Sequence, residues 1–509
     1  MNQGSPITIL LVEDDPAHAE IVRRNLAGFS VAIKPTAAVF GLFVVVVAAW
    51  EMRRHPGRRA AGALATVALI AVAVPAPYLI RNTIWFQNPL GSFGNAIFVN
   101  RWFHISFERS YARSQEHLGG IAWRDLPREL TFGGTKMQES FGPAFILLPL
   151  ALIGLRLPRT RFLLAAAAAA ALPFCAIKSA RFLIPALPLA TLAATFVLCR
   201  WRAGPIMAAG LAFAHLLVSL PAINNRFHIS TGWRLAYHVP WRTALRQAPE
   251  EQCLARSDEY RMARLIEERV PEGGAVLSLD GAPARSYTLR PIFVWWESAF
   301  AERMADLILT AGNAPIHGSR VWTSRLPQVR AIELRIAQTG RGAGDSMWSI
   351  NEVRLRSEGA ELPRRSAWEL RALPNPWDVE LAFDGVEATR WRSWDTLRPG
   401  MWIDVRFDKP HMVDTVEVVC HDPQWESQMT ASVLSETGEW KTADSSQWQS
   451  NIAPSDLRKQ ATRELRRAGI RYIELKRDAW RREPFFADGP GWGVREVASS
   501  NPSVLLSID

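Results

Sequence analysis

The sequence predicts a multi-domain protein: an α-helical transmembrane bundle of about six helices, followed by a β-sandwich. Three observations carry this. Six apolar stretches follow one another between residues 30 and 221. The connectors between them are basic at alternate positions. After Pro221 the long apolar runs cease and the patterns become short and strand-like, and 14 of the 21 Trp lie from Trp295 onward. The averages hide this division. A chain of 509 residues that is 48% hydrophobic and 21% charged, with a mean hydropathy of -0.02, resembles an ordinary globular protein. Composition excludes a collagen-like or disordered chain, and four Cys exclude a disulfide-dense scaffold.

Within residues 1–28 a short apolar run, Ile7-Thr-Ile-Leu-Leu-Val12, ends on Glu13, Asp14 and Asp15, and helical spacing follows from Pro16 to Leu26. This resembles the first strand and helix of a response-regulator receiver, and the resemblance implies that the three carboxylates lie at a Mg²⁺ site, as clustered carboxylates suit a hard cation. Only about 28 residues match, and the phosphoacceptor Asp of the third strand has no counterpart before the apolar sequence begins. The segment is therefore read as a truncated, non-functional receiver-like fragment.

The apolar stretches span roughly 30–50, 60–80, 141–155, 162–177, 181–199 and 205–221. Several approach the ~20 residues that cross a ~30 Å hydrocarbon core. Arg53, Arg54, Arg58 and Arg59 follow the first, Arg156, Arg159 and Arg161 the third, and Arg200 and Arg202 the fifth. The positive-inside rule places these three loops in the cytoplasm, so residues 81–140, the Lys178–Arg181 turn and everything after Pro221 face the other side. Arg81, Lys178 and Arg181 then sit at one interface. Two readings stand for them: a lipid-phosphate site held by charge-assisted bonds, or interfacial snorkelling.

Tyr78-Leu-Ile-Arg-Asn82, Trp85-Phe-Gln-Asn-Pro89, Phe141-Gly-Pro-Ala-Phe-Ile-Leu-Leu-Pro149 and Ala180-Arg-Phe-Leu-Ile-Pro-Ala-Leu-Pro188 occur in that order, after Lys34-Pro-Thr36. Together they resemble polytopic glycosyltransferases of the GT-C type, the dolichyl-phosphate-mannose and aminoarabinose transferase relatives, over about residues 29–285. The resemblance implies sugar transfer from a polyprenyl-phosphate donor at the outer membrane face, with membrane lipids and that donor as partners. The family's acid lies in a first outer loop that has no counterpart here. Glu108, Glu116, Asp125, Glu129 and Glu139 lie in a different loop, so no catalytic residue is assigned and the enzyme is expected to be incomplete. The expected region is 29–221, with 81–140 as its outer loop.

Residues 222–285 read as a small mixed α/β segment: Ser257 to Val270 has helical spacing, Pro271-Glu-Gly-Gly274 stops it, and Ala275 to Leu279 follows as a strand. Two motifs then repeat. Arg330-Ala-Ile-Glu-Leu-Arg335 matches Arg471-Tyr-Ile-Glu-Leu-Lys476, and Trp348-Ser-Ile-Asn-Glu-Val353 matches Trp492-Gly-Val-Arg-Glu-Val497. The near-equal offsets predict a duplicated unit: a partial sandwich over 286–361, with its own pair Trp295 and Trp296, and a fuller copy over 362–509.

In the second copy Leu381-Ala-Phe-Asp-Gly385, Thr389-Arg-Trp391-Arg-Ser393 and Gly400-Met-Trp-Ile-Asp-Val-Arg-Phe407 resemble a discoidin-like domain of the coagulation-factor type C kind, a galactose-binding-like jelly roll. Trp402, Asp404 and Arg406 alternate with Ile403, Val405 and Phe407, as a half-buried strand requires. The resemblance implies a structural calcium held by Asp384, Thr389 and Glu496; a simple tight turn at Asp384-Gly385 is the other reading. Trp391 reads as core. Trp394, Trp425 and Trp448 are the candidates for stacking on a sugar ring.

There is no nucleotide-binding loop of either common kind and no helical His pair for a metal, so no nucleotide cofactor is expected. The surplus charge of +10 lies mostly in the membrane-side loops, which argues against nucleic acid. The leading expectation is a bacterial inner-membrane, multi-pass protein of glycosyltransferase ancestry with a periplasmic or extracellular tail that binds glycans. The alternative is a non-enzymatic, membrane-anchored carbohydrate- or surface-binding protein. Two-component signalling, the third, would require a complete receiver. Whether Cys253 and Cys420 pair is left open.

Overall fold

The computed structural model describes residues 76–509 except 115–120, 133–140, 143–144, 146–147, 177, 220–241, 243–244, 248, 256, 281–282, 284, 343–345, 422–426 and 478–487. The receiver-like segment with Glu13, Asp14 and Asp15, the first apolar run and most of the second lie outside the described residues. The described residues fall into two compact units, one of 76–94 with 108–250 and one of 95–107 with 251–509.

The first unit is helical. It contains α1 (Ala76–Phe86), α3 (Leu126–Phe132), α4 (Pro158–Ala176), α5 (Leu187–Leu198) and α6 (Gly204–Ser219), while α2 (Ile105–Ser114) runs across the division of the chain. No helix among the described residues is long and apolar enough to cross a membrane. The expected helical transmembrane bundle is thereby overturned, and with it the multi-pass inner-membrane placement and the orientation read from the connectors.

The cause is local. Within the stretch 141–155 the only α-helix among the described residues is one turn, Leu150–Ile153, which passes into the 3₁₀ turn Gly154–Arg156. The fifth stretch begins as a 3₁₀ turn, Ala180–Phe182, and its helix starts only at Leu187, with Pro188 in its first turn. That leaves 12 residues, roughly 18 Å at 1.5 Å per residue. With 16 residues α6 reaches roughly 24 Å, short of a ~30 Å core. Of the helices in this unit α4 is longest, but Arg159 and Arg161 occupy its start and Pro173 lies near its end. Apolar composition was legible in these segments; uninterrupted helix was not.

The second unit contains an α/β domain. Its first helix, α7 (Asp258–Arg269), begins where the Ser257 hydroxyl accepts from the Tyr260 N–H, carries Asp258 and Glu259 in its first turn and stops before Pro271. Both ends follow the usual rules for helix termini. The chain continues through β1 (Ala275–Ser278) and β2 (Ile292–Val294) into α8 (Ala299–His317), capped by Ser298 and closed by Gly318 at φ +80°. It then makes β3 (Ser319–Arg325), β4 (Arg330–Gln338), β5 (Met347–Ile350), β6 (Glu352–Ser357), β7 (Ala360–Glu361), β8 (Glu369–Leu373) and β9 (Trp391–Thr396). Next come β10 (Trp402–Met412), β11 (Thr415–Cys420), β12 (Met429–Ser435), β13 (Trp440–Thr442) and β14 (Ser445–Asn451). Finally α9 (Leu457–Arg467), β15 (Ile470–Lys476), α10 (Gly489–Trp492), β16 (Val494–Ser500) and β17 (Ser503–Ile508) return to the α/β domain.

The α/β sheet has the order β16-β17-β15-β1-β2, with β1 parallel to both β15 and β2. Its two faces follow the alternation of the strands. Leu277, Ile473, Leu475, Val504 and Leu506 point to the α8 and α9 side with Trp492, whereas Val276 and Leu505 meet Met262 and Ile266 of α7 and Val270 just after it. The domain is three layers, helix–sheet–helix.

Between α8 and α9 stands a β-sandwich. One sheet has the order β13-β12-β4-β10-β8 and the other β14-β3-β11-β6-β7. Both contribute to one core, in which Leu334, Ile336, Ile403, Val405, Ala431 and Val433 of the first sheet meet Trp322, Val353, Leu355, Val416 and Val418 of the second. Trp348 and Trp391 cross edge to face at 5.2 Å, on the small β5–β9 pair.

The expected domain boundaries differ from this arrangement. Strands from both sides of residue 361 share the same two sheets, so 286–361 is not a separate partial copy. The last strands, β15 to β17, belong to the α/β sheet. The matched motifs likewise part: β4 lies antiparallel between β10 and β12, while β15 lies parallel to β1. Two buried strands of similar composition made the repeat.

Candidate functional site

The turn after β8 and before β9 carries the strongest chemistry. A 3₁₀ turn, Val379–Ala382, delivers the chain to Asp384, and Gly385 takes φ +74°, a left-handed conformation that glycine adopts at little cost. Thr389 then folds back over the turn. Its Oγ1 lies 2.8 Å from the Val386 carbonyl oxygen, 2.9 and 3.0 Å from the two carboxylate oxygens of Asp384, and 3.3 Å from the Leu381 carbonyl oxygen. A hydroxyl owns one hydrogen. Four oxygens therefore crowd around a donor that cannot serve them all.

A second carboxylate closes the turn. Glu352, at the start of β6, accepts the Gly385 N–H at 3.0 Å. Burial, reinforced by the charge of Asp384, pushes the Glu352 carboxyl up to about 8. Burial also pushes Asp384 up to about 6, against the hydrogen bonds from Val386 and Thr389. Both groups are held where a negative charge has too little compensation. Beside them Glu387 is different: burial opposes its ionisation, but His421 at 2.9 Å and Arg354 hold its carboxyl below the usual range.

Among the described residues no three His, Cys, Asp or Glu side chains group as a metal site. The donors at this turn are of another kind: two carboxylates, one hydroxyl and two backbone carbonyls. All are hard oxygens, the set calcium takes. Of the residues expected here, Asp384 and Thr389 are brought together. Glu496 is not; it lies on β16 in an ion pair with Arg477. Glu352, which the sequence reading passed over, stands at the turn in its place. The signal was in the repeat, because Glu352 and Glu496 are its matching positions.

The residues expected to stack on sugar are dispersed. Trp394, 7% exposed, has the His104 ring parallel to it at 4.3 Å and the Arg392 guanidinium 4.7 Å from its centroid. His104 is in turn fixed by Glu302 at 2.6 Å. Trp448 packs against the sandwich core and donates its indole N–H to the Ser427 carbonyl. Trp425 lies outside the described residues.

The three cations also separate by partner. Arg81 binds the Asn82 side chain and covers the Tyr78 and Trp85 rings, Lys178 donates to the Ile121 carbonyl over Trp123, and Arg181 donates to the Tyr111 hydroxyl.

A feature the sequence reading missed lies on the outward face of the β13-β12-β4-β10-β8 sheet. The Arg335 guanidinium is 5.1 Å from the centroids of both Trp402 and Trp440. It also grips the fully buried Asp404 with two bonds of 2.7 Å. The alternation in β10 correctly turns Trp402 outward, but it cannot reveal that β13 brings Trp440 to the same side.

The fold and these sites define a class: an α/β domain that carries an inserted β-sandwich with an oxygen-lined turn. No family model, curated protein or solved structure matches the chain.

Proposed function

We propose that this chain recognises carbohydrate without transforming it, through a calcium-held β-sandwich carried on an α/β domain. The observation that supports this best is the Asp384 turn. Thr389 Oγ1 sits among four oxygens, and burial raises the Glu352 and Asp384 carboxyls, the charge of Arg354 near Glu352 being shared with Glu387, so positive charge is short at the turn. A calcium ion held by Asp384, Glu352, Thr389 and the Leu381 and Val386 carbonyls would supply that charge and fix the turn. The resemblance of the Asp384-Gly385 and Thr389-Arg-Trp391 segments to a discoidin-like, galactose-binding-like sandwich adds the ligand class. Sugar transfer is left out of the reading, because the resemblance that implied it assigned no catalytic residue in this chain.

The test is direct. The purified chain is applied to an array of oligosaccharides and polysaccharides, first in calcium and then in a chelator. Glycan capture that weakens on chelation supports the proposal. Absence of capture in both conditions refutes it.

A further inference from the structure

We propose that the outward face of the β13-β12-β4-β10-β8 sheet is the ligand platform, and that its ligand is a neutral polysaccharide chain. This rests on the carbohydrate-recognition reading above, but on different residues from those of the calcium turn.

The register of the sheet sets one row of side chains across it. Asp404 stands opposite both Arg335 and Arg371, Arg335 opposite Ser432, and Ser432 opposite Thr442. A neighbouring row holds Glu333, opposite Arg406 on β10 and Leu434 on β12, with Trp440 opposite Leu434 on β13. Two aromatic rings rise from this surface. Trp440 is 44% exposed and Trp402 is half-buried. Because each centroid is 5.1 Å from the same guanidinium carbon, the two indoles stand no farther apart than twice that distance. That separation suits adjoining sugar units of one chain, each offering the C–H face of its ring to an indole. An indole combines a large apolar face with one polar handle, and neither of these indole N–H groups has a protein acceptor among the described residues.

The charges on this face decide the ligand class. Arg335 is neutralised by Asp404, and Arg371 bonds Glu333 at 2.9 Å. Arg406, exposed on the same face, stands opposite Glu369 of β8, so three cations and three anions cancel and the centre of the platform offers no positive field to an acidic glycan or a phosphate backbone. What it offers is hydrogen bonding from fixed, planar groups: the Nη1 of Arg335, the two indoles, and Glu333 as acceptor. Arg335 cannot swing away, since both carboxylate oxygens of Asp404 and both aromatic rings hold it. Pre-organised polar groups beside apolar faces suit a ligand rich in hydroxyls, because little ordering remains to be done on binding. The surface is an open sheet rather than a closed cavity, so it favours an extended chain over a single sugar.

The experiment is affinity electrophoresis of the full chain in native gels, each cast with one soluble polysaccharide. Neutral probes are a mixed-linkage glucan, a glucomannan and a galactan; acidic probes are alginate and polygalacturonate. We expect retardation by at least one neutral probe and by neither acidic one. Trp440→Ala, at an exposed ring, should weaken retardation roughly tenfold, the order of one lost aromatic contact. Trp402→Phe should weaken it less, because a ring remains. Thermal melts confirm that both variants stay folded. Retardation unchanged in both variants would overturn the platform while leaving carbohydrate recognition standing. Retardation by the acidic probes alone would overturn the neutral class. No retardation in any gel would overturn the platform together with the reading it rests on.

Discussion

Asn451 donates its side-chain amide to the hydroxyl of Ser319 at 3.2 Å, and the two residues stand opposite each other where β14 pairs with β3. They are the first and last residues of the sandwich strands. The whole sandwich therefore leaves and re-enters the α/β domain through one doorway, between Gly318 at the end of α8 and the approach to α9. An insertion with adjacent ends costs its host little, because closing the host loop does not depend on the size of what is inserted.

The sandwich should accordingly be separable. A variant in which residues 319–451 are replaced by two glycines, with Asp306→Asn to remove the charge that Arg390 and Arg392 no longer pair, is expected to keep a cooperative thermal transition and the helical circular dichroism of the α/β domain. The excised 319–451 segment should also unfold cooperatively, since both sheets and their shared core lie within it. A non-cooperative melt of the excised segment would contradict this.

Calcium should stabilise the intact chain. A ligand that binds only the folded state adds about 2.7 kcal/mol when its free concentration is a hundred times its Kd. Glu352→Gln and Asp384→Asn are expected to lose most of the calcium-dependent rise in Tm, and Thr389→Val a large part of it. Glu496→Gln is the control: paired with Arg477 on β16, it should respond to calcium like the parent. A calcium response lost in Glu496→Gln and kept in Glu352→Gln would reverse the assignment.

Part of this was legible in sequence. Ser257, Pro271 and the glycines after it marked α7 correctly, because helix ends are local chemistry. The alternation from Trp402 to Phe407 gave the two faces of β10, because strand period is local too: Ile403, Val405 and Phe407 are buried. What failed was long-range. No local pattern tells that Ile470–Lys476 lies beside Ala275–Ser278 rather than beside a strand of the sandwich, or that Glu352 rather than Glu496 reaches the Asp384 turn. The apolar runs failed for a third reason. Pro185, Pro188 and the arginines at 159 and 161 were visible, but a hydropathy pattern averages over the interruptions that decide helix length.

Stability should fall as pH rises through neutrality, with Glu474 responsible for a measurable share. Its side chain is buried on β15, where the Ser278 hydroxyl donates to it at 2.7 Å. Burial, with a smaller contribution from the charge of Asp280, pushes it up to about 7. A carboxyl whose pKa is raised on folding favours the native state while it is protonated. That contribution is complete below the ordinary carboxylate pKa and is lost as pH rises through about 7. The upward shift corresponds to roughly 3 kcal/mol at 1.36 kcal/mol per unit. In urea denaturation, Glu474→Gln should match the parent near pH 4.5 and exceed it near pH 8. Equal stability at both pH values would refute the assignment.

The joint between sandwich and α/β domain should depend on Asp306. This residue lies on α8, and β9 with its preceding turn brings two guanidiniums to it: Arg390 through two bonds of 2.7 Å and Arg392 through one of 2.6 Å. Asp306 and Arg390 are both only 7% exposed. Burial works against the charge on Asp306, yet the two arginines prevail and hold its carboxyl below the usual range. Removing one member of such a buried set leaves the others uncompensated, at a cost of about 3–5 kcal/mol. Asp306→Asn should therefore lower the urea midpoint far more than Asp258→Asn, whose partner Arg261 is 40% exposed and whose loss should cost less than about 1 kcal/mol. The sign of the pH effect is opposite to that of Glu474. Stability from a depressed carboxyl is present above the ordinary range and is lost as pH falls through the depressed value. The gap between parent and Asp306→Asn should thus be widest near neutrality and narrow in acid. A gap that stays constant from neutral to strongly acid pH would show that Asp306 contributes through packing rather than through its charge.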